Sequence, residues 1–318
     1  MCIVSKILLS HRYQDIISIE NLLEAWEEFA VGKRLKHDVQ EFESRLMDNI
    51  IGLHNDLRDL TYRHGGYYAF RISDPKPRQI HKASVRDRLV HHAVHRRLYP
   101  FFDKLFIADS FSCRLDKGTH AALNRFRAFA NQVGHNYTRT VWVLKCDIKK
   151  FFSSVDQAIL VELLFKRMPD ENIRWLLKEI IGSFHSKNVG KGIPLGNLTS
   201  QLFANIYLNE LDQLVKQYLK FLSYVRYADD FIFLSPDKNE LLMILPVISD
   251  FLENNLQLVL HPDKVFIKTY ASGVDFLGWV HFSHHRVLRK TTERRIFKRG
   301  ADSERFNDSF GGHIVFGN

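Results

Sequence analysis

The sequence predicts an α+β fold, an antiparallel sheet packed on helices, and three observations carry that expectation. From Ser18 to about Leu60, apolar residues such as Leu22, Leu23, Trp26 and Phe29, then Phe42, Leu46, Ile50 and Leu53, recur at three and four positions, as on amphipathic helices. Beyond Tyr67, short runs of strand formers are interspersed with helical stretches. Between Ser223 and Leu234, SYVRYADDFIFL sets two strand-forming runs around a tight turn that carries Asp229 and Asp230. That hairpin raises two carboxylates at its tip, which suggests a divalent cation.

Along the chain, Gly32, Lys33 and Arg34 break the first helical stretch in two, and Tyr67 to Ile72 reads as a strand. Asp74, Pro75 and Pro77 then force a loop. A basic block follows, with Lys76, Arg78, His81, Lys82, Arg86 and Arg88 leading onto a helix with His91 and His95. Those histidines have the spacing of a helical metal pair, but a third ligand is missing and the neighbours are cationic, so the segment reads as a phosphate contact or a solvated face. The Lys117-Gly118-Thr119 loop opens a helix over 121–130. Val141 to Leu144 is a buried, central strand that delivers Asp147 at its end. Ser154 or Asp156 caps the next helix, and Asn197 or Thr199 starts a long one. Asp237 and Glu240 form a capping box for a helix to about Leu256. Short strands flank His261 to Lys264, and Val274 to Phe282 is a strand or hairpin arm. Past it, Arg286, Lys290, Arg294 and Lys298 recur every four residues, as a cationic stripe on a helix.

At 318 residues the chain is long enough for two or so domains or subdomains, and its net charge of +9 favours a polyanionic partner. Cys2, Cys113 and Cys146 are scattered, which argues against a disulfide framework or a zinc site and makes a reducing cytoplasm the expected location. The N-terminal MCIVSKILLS is too short for a cleavable signal, and no apolar run approaches the roughly 20 residues of a membrane span.

Asp147 and Asp229 lie 229 − 147 = 82 positions apart, each at the end of an apolar strand. Carboxylates brought together from neighbouring strands repel unless cations lie between them. Two Mg²⁺ ions roughly 3.5 to 4 Å apart would satisfy both and support an in-line displacement, the geometry of nucleotidyl transfer.

Seven strings in order complete the picture. KCDIKKFFSSVD, GIPLGNLTSQ, YADD and DFLGW follow PKPRQI, RDRLVHHAV and SCRLDKGTHAAL, and between about Pro75 and Phe282 the chain resembles reverse transcriptases. The resemblance implies a right-hand polymerase fold: an N-terminal helical extension over 1–66, fingers over 67–140, a palm over 141–282 with a fingers insertion near 157–192, and a short basic thumb over 283–318. It implies that Asp147 and Asp229 ligate two Mg²⁺ with help from the Ile148 carbonyl, while Asp230 supports the site and the primer terminus. Phe152 matches the aromatic gate against a ribose 2′-hydroxyl. Lys76 and Arg78 would hold the triphosphate, Leu195, Gly196 and Gln201 would border the incoming nucleotide, and Lys264 would protonate pyrophosphate. Arg86, Arg88, Arg114, Lys117, Gly278, Arg286, Lys290, Arg294 and Lys298 would contact nucleic acid.

Many reverse transcriptases carry Gln-Gly-x-x-x-Ser-Pro, whereas this chain has Leu195-Gly196-Asn197-Leu198-Thr199-Ser200-Gln201. That form resembles the enzymes of diversity-generating retroelements, which copy a template-repeat RNA with errors at adenines. An apolar side chain in place of an amide beside the nascent pair would loosen discrimination. The resemblance implies template RNA, nascent cDNA, dNTPs and a basic accessory subunit as partners, with no membrane. Retron strings are absent, and no maturase or endonuclease region follows the palm. A phage-defence reverse transcriptase is the alternative with the same chemistry; an inactive RNA-binding scaffold is the alternative without it.

Overall fold

The computed structural model describes residues 7–73 and 77–301, at 295 and 298–301 by backbone alone. Four helices open it: α1 (Tyr13–Ile17), α2 (Ile19–Ala30), α3 (His37–Glu43) and α4 (Leu46–Arg58). Gly32, at φ +67°, sits in the turn between α2 and α3, where the helical pattern was expected to break. An antiparallel hairpin follows, β1 (Tyr67–Ile72) and β2 (Arg78–Ala83), with Ile72 opposite Arg78. Next come α5 (Val85–Asp103), capped by Ser84, and α6 (Thr119–Val133). The central region runs through β3 (Trp142–Asp147), α7 (Phe151–Ser154), α8 (Gln157–Phe165), α9 (Glu171–Gly182) and α10 (Leu198–Gln213). It continues with β4 (Tyr224–Tyr227), β5 (Asp230–Ser235), α11 (Lys238–Leu256) and β6 (Phe266–Thr269). A small sheet of β7 (Val274–Phe276), β8 (Trp279–His281) and β9 (Arg286–Leu288) leads to α12 (Lys290–Ala301). Asp156 and Asp170 cap α8 and α9 by accepting from two backbone N–H groups each, which satisfies donors that a helix start leaves open.

The site rests on a four-stranded antiparallel sheet in the order β4-β5-β3-β6. Strand alternation divides its side chains between two cores. Leu144, Cys146, Tyr224, Phe231 and Phe233 join the larger core with residues of α10 and α11. Val143, Val225, Ile232 and Leu234 face the opposite way, into a smaller core with Phe126 of α6 and Phe276 of β7. Each fully buried side chain of this size stabilises the fold by about 1.5–3 kcal/mol, so both faces anchor the strands. Both cores explain why β3 reads as continuously apolar rather than alternating.

Two local expectations are corrected. His91 is not on a solvated or phosphate-contacting face: it is buried, its Nδ1 2.6 Å from Thr199 Oγ1 and its Nε2 3.1 Å from His64 Nε2, and burial holds it neutral, with a pKa pushed down to about 3. His95 stacks on Tyr99 with ring centroids 5.0 Å apart. Arg286 is not on the helical stripe: β9 keeps the chain extended through Leu288 because it completes the small sheet, and the helix begins only at Lys290. There the Arg286 guanidinium lies 4.7 Å from the Trp279 ring centre.

Candidate active site

β4 and β5 form the acidic hairpin, with Tyr227 opposite Asp230 and Ala228-Asp229 as its two-residue turn. Ala228 adopts φ +53°, a left-handed conformation that costs a residue with a Cβ roughly 1–2 kcal/mol and has to be held by its surroundings. On the other side of β5, Asp147 pairs directly with Asp230 at the end of β3. Ile148 N–H donates to the Asp229 carbonyl at 3.2 Å, which locks the turn against the strand end. Three carboxylates thus meet at one end of the sheet. Like charges directly opposite on paired strands are unfavourable, so the arrangement demands cations.

The protein supplies two. Lys264 Nζ lies 2.7 Å from Asp147 Oδ1, and Lys145 Nζ lies 3.2 Å from Asp230 Oδ2. They do not neutralise the site. Burial first, then the Asp147 charge, raises the Asp229 pKa, against the opposing pull of Lys264 and Arg78. Burial pushes Asp230 up to about 6 despite Lys145. Asp230 Oδ1 is buried without a hydrogen-bond partner. A buried carboxylate oxygen with no donor, beside a repelling carboxylate pair, fits a hard divalent cation that takes oxygen ligands. Among the described residues no three His, Cys, Asp or Glu side chains converge as a ready-made cage.

A buried ion pair braces the hairpin from below. Arg226 donates from Nε and Nη2 to Asp212 of α10 at 2.8 and 2.6 Å, and both side chains are 0% exposed. The same guanidinium reaches Ser110 Oγ at 3.0 Å, Asn205 Oδ1 at 3.3 Å and the Ala228 carbonyl at 3.2 Å. Tyr224 O–H also donates to Asp212, at 2.9 Å.

The family model described as reverse transcriptase (RNA-dependent DNA polymerase) matches residues 73–281, more than half of the chain. The chain belongs to the reverse transcriptase family. Among curated relatives, Protein YkfC of Escherichia coli is 27% identical over 255 residues, covering 69% of this chain and 65% of its own. The group II intron-encoded protein LtrA of Lactococcus lactis is 23% identical over 298 residues, covering 73% of this chain and 48% of its own. The chain thus spans one half to two-thirds of these relatives' length. Among solved structures, a telomerase from Candida tropicalis bound to a fragment of telomeric RNA aligns with TM-score 0.54 at 14% identity, over 72% of this chain and 45% of that one. The apo form truncated of its C-terminal domain aligns with TM-score 0.52 at 13% identity, over 76% of this chain and 60% of that one. At such identity the likeness speaks for the fold, the right-hand polymerase fold.

Within this member of the family, the other expected residues divide into three groups. The first lies on β2, α7 and the start of α10. Arg78, exposed at the start of β2, is close enough to pull the Asp229 pKa down. The Leu195 carbonyl accepts from His81 N–H of β2 at 2.9 Å, and Asn197 Nδ2 donates to the His81 carbonyl at 3.1 Å, so the loop ahead of α10 is tied to the hairpin. Gly196 takes φ +109°, a conformation that favours glycine, and a Cβ there would stand 2.8 Å from the Ile80 Cγ2 methyl. Gln201 is exposed on α10. Phe152, half-buried on α7, packs against the larger core and T-stacks on Phe151.

A second group is engaged inside the protein. Arg86 pairs with Asp56 at 2.5 Å and Arg88 with Asp38 at 2.5 Å. Arg114, with 6% of its side chain exposed, donates to Asp103 at 2.6 Å and to the Ile107 and Ser110 carbonyls. Lys117 donates to the Ala108 carbonyl at 2.7 Å. Their charges tie α5 to α3 and α4 and fix the loop after α5, which charge counting along the sequence does not reveal. The third group lies past the four-stranded sheet: Gly278 in the β7–β8 turn, and Lys290 and Arg294, exposed on α12. Lys76 and the Lys298 side chain lie outside the described residues.

Sequence reasoning missed Lys145, Asp212 and Arg226. Each left a signal: a lone charge inside an apolar strand, or, for Asp212, on the inward side of α10 between Leu208 and Val215. Buried charges of this kind persist only when paired.

Proposed function

We propose that this chain is an RNA-directed DNA polymerase that extends a primer 3′-hydroxyl by two-Mg²⁺ nucleotidyl transfer. The observation that supports it most is the register that sets Asp147 opposite Asp230 with Asp229 on the adjoining turn. In this reading Asp147, Asp229 and the Ile148 carbonyl hold two Mg²⁺, which would activate the attacking hydroxyl and neutralise the leaving pyrophosphate. Asp230 fixes the geometry beside the primer terminus. Arg78, with Lys76, binds the triphosphate through charge-assisted hydrogen bonds. Phe152 excludes a 2′-hydroxyl. Lys264, whose side chain is 41% exposed, hands a proton to pyrophosphate. Residues 67–140 act as fingers, 141–282 as palm with the 157–192 insertion, 283–318 as a short thumb, and 1–66 as a helical extension. Gly278, Lys290 and Arg294 contact the primer–template duplex.

The finer reading is error-prone copying of a template-repeat RNA in a diversity-generating retroelement, with a basic accessory subunit as partner. It is supported by Leu195 and Gln201, which stand where many reverse transcriptases carry an amide and a proline. No described helix is long and apolar enough to cross a membrane. Primer extension on an RNA template with Mg²⁺ and dNTPs tests the proposal. Wild-type protein should extend and Asp229→Asn should not; equal extension by both would remove the carboxylates from the chemistry. Tight RNA binding without extension by either would leave an RNA-binding scaffold.

A further inference from the structure

Lys145 is the penultimate residue but one of β3, in phase with Val143 and therefore on the face that packs against α6 and β7. A lysine in that position is costly, since an ammonium group removed from water must recover its hydration from fixed partners. Lys145 is buried, and it has three such partners. Its Nζ lies 3.2 Å from Asp230 Oδ2, donates to the Asp275 carbonyl at 2.8 Å, and stands 5.9 Å from the centre of the Phe276 ring. The first partner is a carboxylate of the site. The other two belong to β7, the arm that leads into the Leu277-Gly278 turn.

The hairpin held this way is tight, and Leu277 and Trp279 beside its tip also pack against the smaller core. Leu277 and Gly278 take φ +50° and +88°, the two-residue turn that suits the twist of a hairpin, with Phe276 opposite Trp279. A chain of polar contacts continues outward from it. The Asp275 carboxylate pairs with Arg289, and Arg289 N–H donates to the Gly278 carbonyl at 3.0 Å, one residue before α12 begins. A single buried ammonium thus connects Asp230 to the β7–β8 hairpin, and Arg289 connects that hairpin to the root of α12.

We propose that Lys145 is a positioning residue that sets the height of the β7–β8 hairpin over the sheet and so places the primer end relative to Asp230. The inference rests on the polymerase reading for its consequence, since only there does the hairpin, through Gly278, contact the primer–template duplex whose end lies beside Asp230. Its structural content stands apart from that reading: the ammonium is the strut between a carboxylate on β5 and a carbonyl on β7.

The test compares wild type with Lys145→Met, Lys145→Arg and Asp230→Asn. In primer extension, Lys145→Met should raise the KM for primer–template by about tenfold or more, the effect of losing a charged hydrogen bond, and leave the KM for dNTP within about twofold. Lys145→Arg, which keeps donors for both partners, should recover most of the loss. Equal change in both KM values, or a loss confined to the fraction of active molecules, would reduce Lys145 to a packing role and overturn the proposal. Hydrogen exchange separates this from the polymerase reading. Amides of 274–281 should exchange about tenfold faster in Lys145→Met and in Asp230→Asn, with α8, α9 and α11 unchanged. Unchanged hairpin exchange in both variants, or acceleration spread over the whole palm, would refute the strut whether or not the wild type extends primers. Failure of wild-type extension with selective hairpin exchange would instead sink the polymerase reading and leave the strut standing.

Discussion

The Asp212–Arg226 pair offers the sharpest perturbation of the site's foundations. Asp212→Ala removes two hydrogen bonds from a guanidinium that is 0% exposed, and only Ser110, Asn205 and the Ala228 carbonyl remain to solvate it. Breaking one side of such a pair leaves an uncompensated buried charge and costs about 3–5 kcal/mol. Against a typical total stability of roughly 5–15 kcal/mol that is a large fraction. Replacing both partners, Asp212→Leu with Arg226→Met, removes the charge altogether and is expected to recover most of the loss. A residual cost of about 1–3 kcal/mol remains because Tyr224 O–H loses its acceptor. Urea unfolding, compared through midpoint and slope, measures both quantities. Primer extension by the double variant should nevertheless be slow, since the Ala228 carbonyl then loses its guanidinium donor and the left-handed turn is held from one side only, by Ile148 N–H. A single substitution costing under about 1 kcal/mol, or a double variant as unstable as the single one, would refute the account of the brace.

Three further outcomes are expected. Phe152→Ala should lower the preference for dNTP over rNTP, read as a ratio of kcat/KM values, by about tenfold to a hundredfold; an unchanged ratio makes Phe152 packing only. Leu195→Gln should reduce misincorporation opposite template adenine, scored by sequencing the products, and an unaltered error spectrum removes Leu195 from the explanation. The third concerns pH. Asp230 has its folded pKa raised from 3.8 to about 6, so between those values the folded state binds more protons than the unfolded one. Stability without divalent cations should therefore fall as pH rises through that window, and Asp230→Asn should flatten the slope. Unfolding in EDTA at several pH values measures it, and a slope identical in both proteins would contradict the burial of Asp230.

Much of the local structure was legible because its causes are local. The strand Tyr67–Ile72 has the expected bounds, Asp156 caps α8, and β3 is central between β5 and β6. Asp237 caps α11 as expected, whereas Glu240 turns to Ser235 Oγ and does not close the capping box. The sequence also brought Asp147, Asp229 and Asp230 forward, since carboxylates at the ends of apolar strands are conspicuous.

The partners of the charges were not legible. Arg86, Arg88 and Arg114 look like free cations in a basic block, and the fold spends them on Asp56, Asp38 and Asp103. Arg286 fits a helical stripe until β9 claims it, because sheet pairing with β8 outweighs a periodicity shared with only three other residues. Lys145, Asp212 and Arg226 acquire meaning only where distant segments meet. By itself the sequence determined the strands, the carboxylates at their ends and the family to which they belong, because periodicity and short motifs act over a few residues. The tertiary structure alone decided which charges face one another, since pairing energy depends on distance and burial that no single segment contains.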